Sequence, residues 1–81
     1  MARVSGKQDS DGSLVKLGRA VRGRRAECNL SQEALADAAG IDRSHMGKIE
    51  RGERNVTLLN VIKIADALGR KPSELLTDAG L

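Results

Sequence analysis

From Ser31 to its C-terminus the chain alternates residues that start helices with residues that stop them, and this punctuation restricts it to short helical segments. Ser31 offers a hydroxyl to cap "QEALADAA", a run of good helix formers, and Gly40 can take the left-handed conformation that ends it. Asp42 caps "RSHMGKIER", which Gly52 stops, and Thr57 caps "LLNVIKIADAL", which Gly69 closes. Pro72, its φ pre-set for the first helical position, opens "PSELLTDA". Upstream, Leu14, Leu17, Val21, Arg25 and Cys28 recur at intervals of three or four, one stripe of an amphipathic helix from about Ser13 to about Glu27. No run alternates with period two. The pattern predicts an all-α chain, a compact five-helix bundle over residues 13–81. The preceding stretch, "MARVSGKQDSDG", has too little apolar area to order itself and is expected to be a flexible tail over residues 1–12.

With 81 residues there is room for one small domain. The chain has no Phe, Tyr or Trp, so its core is aliphatic and it has no ring on which an unpaired base could stack. Its net charge of +3 matters only where the cations gather on one face. One cysteine cannot make an internal disulfide, and Cys28 reads as core or boundary filler. In the absence of a signal-like or membrane-length apolar run, the expectation is a soluble, cytoplasmic protein with no membrane partner. One His, one Cys and scattered carboxylates form no nucleophile–base pair and no metal-ligand spacing. No enzyme activity, metal or cofactor is expected.

The stretch "GIDRSHMGKIERGERN" carries the functional signal. On a helical wheel Met46 and Ile49 point one way, while Arg43, Ser44, Gly47, Lys48 and Arg51 spread over the other side. That side holds three cations and no acid. Gly47 costs about 1 kcal/mol of helix propensity, which an ordinary solvent face has no reason to accept, and a missing side chain lets something approach closely. Two short helices joined by a glycine-containing turn make a helix-turn-helix, the second of them suited to a DNA major groove. Ser31 and Gln32, at the start of the first motif helix, sit where free backbone N–H groups and the helix dipole suit a phosphate. Arg51, Arg54 and Asn55 follow the second helix, in reach of flanking backbone. His45, at the edge between the faces, is either a boundary residue or a phosphate or base contact. Lys16, Arg19, Arg22 and Arg24 add a basic face to the first helix, serving solubility or phosphate attraction.

Two charges intrude on apolar stripes, Arg25 in the first helix and Glu50 beside Met46 in the third. A lone buried charge is very costly, whereas an opposite pair with its hydrogen bonds satisfied is tolerable, so the two are expected to meet. Leu59, Leu75, Leu76 and the terminal Leu81 exceed what so small a core can hide, and are expected to meet a second copy in a symmetric dimer.

The run from "RGRRAECNLSQEALADAAG" to "ALGRKPSELL" resembles the phage-repressor and Cro-like helix-turn-helix family, with a lambda repressor-like DNA-binding domain. The likeness covers about Leu14 to Leu76 and rests on "LSQEALA", "AGID", "IERGERN" and "ALGRKPSELL" together. In size and plan the chain is most similar to controller proteins of restriction–modification systems, which are dimeric transcriptional regulators. The resemblance implies that Gln32 contacts a phosphate, that Arg43, Ser44 and Lys48 face bases, and that His45 and Arg51 lie nearer the backbone. It also implies that Arg25 and Glu50 are a structural ion pair. The partners implied are double-stranded DNA with a palindromic operator, a second copy of the chain and, as a further candidate, RNA polymerase. Gly47 and Val56 depart from common members, the first where a side chain often helps read the groove. A phage-type repressor, an antitoxin or a small protein-binding module are the alternatives. Steep weakening with salt separates DNA binding from the last of these.

Overall fold

The computed structural model describes residues 9–81, and the first eight residues of the expected tail lie outside the described residues. Among the described residues five helices follow one another: α1 (Ser13–Glu27), α2 (Gln32–Ala39), α3 (Arg43–Glu50), α4 (Leu58–Ala67) and α5 (Pro72–Asp78). Each boundary has a local cause. The hydroxyl of Ser31 accepts from the Ala34 N–H at 3.0 Å, the Asp42 carboxylate from His45 at 3.2 Å, and the Thr57 hydroxyl from Asn60 at 3.1 Å. Pro72 opens α5, where Glu74 reaches back to accept from the Lys71 N–H at 2.8 Å. For α1 the cap comes from further upstream. The Asp9 carboxylate accepts from the N–H groups of Ser13 at 3.0 Å and Leu14 at 2.7 Å, so the last residues before the first helix are tied to it.

The helices enclose one aliphatic core built on Val21, Leu35, Met46, Ile49, Ile64 and Leu75, all essentially without solvent access. α1 packs across α3 and α5, while α2 packs on α3 and α4. Where α1 crosses α3 the backbones nearly touch. A Cβ on Gly18 would fall against the carbonyl oxygens of Glu50 and Ile49, 2.6 Å from the second.

Three expectations are corrected here. Leu75 is 0% exposed, one of the six largest fully buried side chains among the described residues, and so cannot be part of a dimer surface. Leu76 is half-buried and packed against the core. The reason is that α5 lies against both α1 and α4, so its roughly two turns are covered on two sides. Cys28 is exposed, since α1 ends at Glu27 and the stripe that would have turned it inward stops there.

Arg24, expected on a free basic face, instead ties α1 to α5. Its Nε and Nη2 donate to the Asp78 carboxylate at 2.5 and 2.8 Å, and Nη1 donates to Glu27 at 3.2 Å. The Arg24 hydrogen bonds, with the charges of Arg24 and Arg70, hold the Asp78 carboxyl below its ordinary range. The contribution of this tie to stability is therefore full above the ordinary aspartate value near ~3.9 and is lost as pH falls through the lower folded-state value. Acid titration followed by circular dichroism should show the parent losing stability more steeply below about pH 4 than Asp78→Asn does. Identical acid profiles would deny the tie any energetic part.

Candidate nucleic-acid interface

The turn between α2 and α3 is short because Gly40 sits at φ 67°, a left-handed conformation that a side chain would strain, and Ile41 then drops into the core. The Ile41 N–H closes the turn by donating to the Ala36 carbonyl at 2.9 Å. α3 is thereby held with Met46 and Ile49 inward, and its other side faces outward. Arg43 and Ser44 are exposed and Lys48 and His45 half-buried, with Arg51, Arg54 and Asn55 exposed just beyond the helix.

The structure brings Arg25 and Glu50 together. Arg25 Nε and Nη2 donate to the two carboxylate oxygens of Glu50 at 2.8 and 2.9 Å, a two-pronged pair, and Nη1 donates to the Leu30 carbonyl at 3.1 Å. Glu50 is 3% exposed. Its hydrogen bonds hold the Arg25 guanidinium above the ordinary arginine value despite partial burial. Gln32 joins the network, its Nε2 donating to Glu50 Oε1 at 3.2 Å. The Glu50 carboxylate thus ties the end of α3 to α1 and the start of α2, and Arg25 extends the network to the loop before α2. No buried side-chain nitrogen or oxygen among the described residues lacks a partner.

Gly47 differs from its sequence reading. It is buried, because the Gln32 carboxamide and the Arg51 guanidinium cover the place its side chain would take, at 3.3 and 3.2 Å from a Cβ built there. Nor is the outer side of α3 free of acids in space. Arg43 Nη1 lies 3.6 Å from Glu33 of α2, and Arg51 Nε donates to Glu53 at 3.0 Å. These exposed pairs are worth roughly 0–1 kcal/mol each and are readily exchanged for a phosphate or base partner. Arg22, whose Nη2 donates to the Glu50 carbonyl at 3.3 Å, was not distinguishable in sequence from its basic neighbours.

A second exposed feature lies on α4. Leu58 is 71% and Leu59 60% exposed, with Ile62 beside them at helical spacing, while Leu81 at the chain end is 55% exposed. Leu58 and Ile62 were missed as surface residues, although their spacing of four signals a shared face. Among the described residues no group of His, Cys, Asp and Glu could hold a metal ion, and no helix is long and apolar enough to cross a membrane.

Residues 21–75 match the helix-turn-helix family HTH_3. The chain is 49% identical over 61 residues to control protein C.SmaI of Serratia marcescens, covering 75% of this chain and 73% of that one. It is 47% identical over 53 residues to control protein C.BamHI of Bacillus amyloliquefaciens, covering 65% of each. Among solved structures, the restriction-modification controller protein C.AhdI of Aeromonas hydrophila superimposes with a TM-score of 0.75 at 52% identity, covering 76% of this chain and 94% of that one.

Proposed function

Because this chain belongs to the helix-turn-helix family of DNA-binding transcriptional regulators, with restriction–modification controller proteins among its relatives, we propose that it acts as a homodimer on an inverted-repeat operator and controls a restriction–modification system. The observation that carries this reading is the outer side of α3, where exposed Arg43 and Ser44 stand with Lys48 on a helix whose inner side is locked into the core. Rigid support matters here, since base readout needs side chains aimed from a fixed backbone. Arg43 reads a guanine through O6 and N7 together, Ser44 and Lys48 contact neighbouring base edges, and His45, Arg51, Arg54 and Asn55 hold the flanking phosphates. The chain works in the cytoplasm, without catalytic chemistry and without a cofactor.

One α3 reads too few base pairs to select a site in a genome, so a second copy is needed. Leu58, Leu59 and Ile62 supply the apolar face for it, with Leu81 as an added contact. Two recognition helices related by a two-fold axis then enter successive major grooves about 34 Å apart.

Selection from a random duplex pool tests this. The parent should retain inverted half-sites centred about one helical turn apart. Arg43→Ala should lose preference at one base pair in each half-site, costing about 1–3 kcal/mol there while leaving the other positions ranked as before. Retention of duplexes with no shared sequence would reject the reading, and an unchanged ranking in Arg43→Ala would reject the role of that side chain.

A further inference from the structure

Glu33 stands where a surface built only for affinity to a polyanion would not carry a carboxylate. It lies in the first turn of α2, and its Oε2 is 3.6 Å from Nη1 of Arg43, the first residue of α3. The left-handed turn at Gly40 and the shared core fix α2 against α3, so the fold itself sets the acid beside the guanidinium. The helix dipole favours a negative charge in that first turn, and the carboxylate stays there whether or not Arg43 faces it. Asp42, the acid next to Arg43 in the chain, is occupied as the cap of α3.

A guanidinium presents the same two-donor edge to a phosphate and to the O6 and N7 of guanine. The two partners differ in charge. A phosphate is drawn in by net positive charge, whereas a guanine edge is neutral and is held by the direction of its hydrogen bonds. A carboxylate beside the guanidinium cancels much of the positive field and repels an approaching phosphate, with little effect on a neutral acceptor. Glu33 meets Arg43 at one terminal nitrogen, which leaves the edge formed by Nε and Nη2 for a base. The exposed pair is weak, so the guanidinium can turn away, yet Glu33 remains within reach of whatever it meets. We propose that Glu33 is a specificity-determining residue, which withholds Arg43 from backbone phosphates and leaves it to a guanine edge. This rests on the reading of Arg43 as a base-contacting side chain. Its consequence is opposite to that of ordinary damage to a DNA-binding surface, since neutralising Glu33 tightens binding to the wrong DNA.

Glu33→Gln keeps the length of the side chain and removes its charge. Both members of the pair are exposed, so the melting temperature should stay near the parent's. Fluorescence anisotropy compares three labelled duplexes of one length: the sequence that the parent retains from a random pool, the same sequence altered at the base pair for which Arg43→Ala loses its preference, and a mixed sequence without the site. In low salt Glu33→Gln should bind the mixed duplex about two- to fivefold more tightly than the parent, and discriminate between the first two by a factor smaller to about the same extent. With Arg43→Ala as the background, most of the gain on the mixed duplex should disappear. Glu53→Gln, which removes one acid from beyond α3, controls for net charge. The proposal is overturned by discrimination as sharp in Glu33→Gln as in the parent, by an equal loss of it in Glu53→Gln, or by an equal gain on the mixed duplex once Arg43 is gone. If Arg43→Ala loses no base preference, the reading of Arg43 falls and this proposal with it. If Arg43→Ala loses preference at one base pair and Glu33→Gln keeps it, this proposal alone falls.

Discussion

Arg25→Ala should destabilise the fold by about 3–5 kcal/mol, because it leaves the Glu50 carboxylate buried with only the Gln32 amide for company. Glu50→Ala should cost less. Arg25 retains the Leu30 carbonyl and has a side chain that is 19% exposed, so part of its charge can return to water. The double variant should be more stable than the sum of the two losses implies, since no charge is then stranded. Thermal melts of the parent, both single variants and the double variant at one protein concentration supply the cycle. Strict additivity, or an Arg25→Ala variant as stable as the parent, would show that the pair contributes nothing beyond its separate groups.

Gly18→Ala comes second. An added methyl inside an exposed helix normally gains up to about 1 kcal/mol, and α1 contains an internal control in Gly23, around which a Cβ would meet open space. Gly23→Ala should therefore raise the melting temperature. At Gly18 the same methyl would lie 2.6 Å from the Ile49 carbonyl oxygen and 2.8 Å from the Glu50 carbonyl carbon. Backbone cannot swing aside as a side-chain tip can, so α1 must move off α3. Overpacking of that kind costs about 1–3 kcal/mol, more than the helix gains. A shift of about 4–8 °C per kcal/mol makes the opposite signs easy to resolve by calorimetry. Equal stabilisation by both substitutions would mean that the α1–α3 crossing is looser than the structure shows.

The helices were legible in sequence because their ends are set by single residues acting locally. Ser31, Asp42, Thr57 and Pro72 cap or open a helix whatever the rest of the chain does, and the observed boundaries lie within a residue of those expected. The Arg25–Glu50 pair was legible for a different reason, since a charge in an apolar stripe demands a partner and only one was in reach. What stayed hidden depends on how helices cross. The inward turn of Leu75 is decided by α1 and α4 closing over a seven-residue helix, too short for periodicity to choose a face. The Arg24–Asp78 tie spans 54 positions, and nothing near either residue hints at the other. Gly18 and Gly47 look alike in sequence, two glycines inside helices. One makes room for a neighbouring backbone, the other for two side chains.

The packing of α1 against α5 has a consequence for when the protein becomes active. During synthesis α1 emerges before α5, in which it finds part of its cover, with Leu75 among the core residues still to come. At about 5–20 residues per second, residues 13–78 take on the order of 3–13 s to make, and the bundle cannot close before α5 has emerged. A nascent chain that already contains α2 and α3 thus carries the whole helix-turn-helix motif on an unfinished body. Premature termination within α5 should therefore leave the motif without a closed core to hold it.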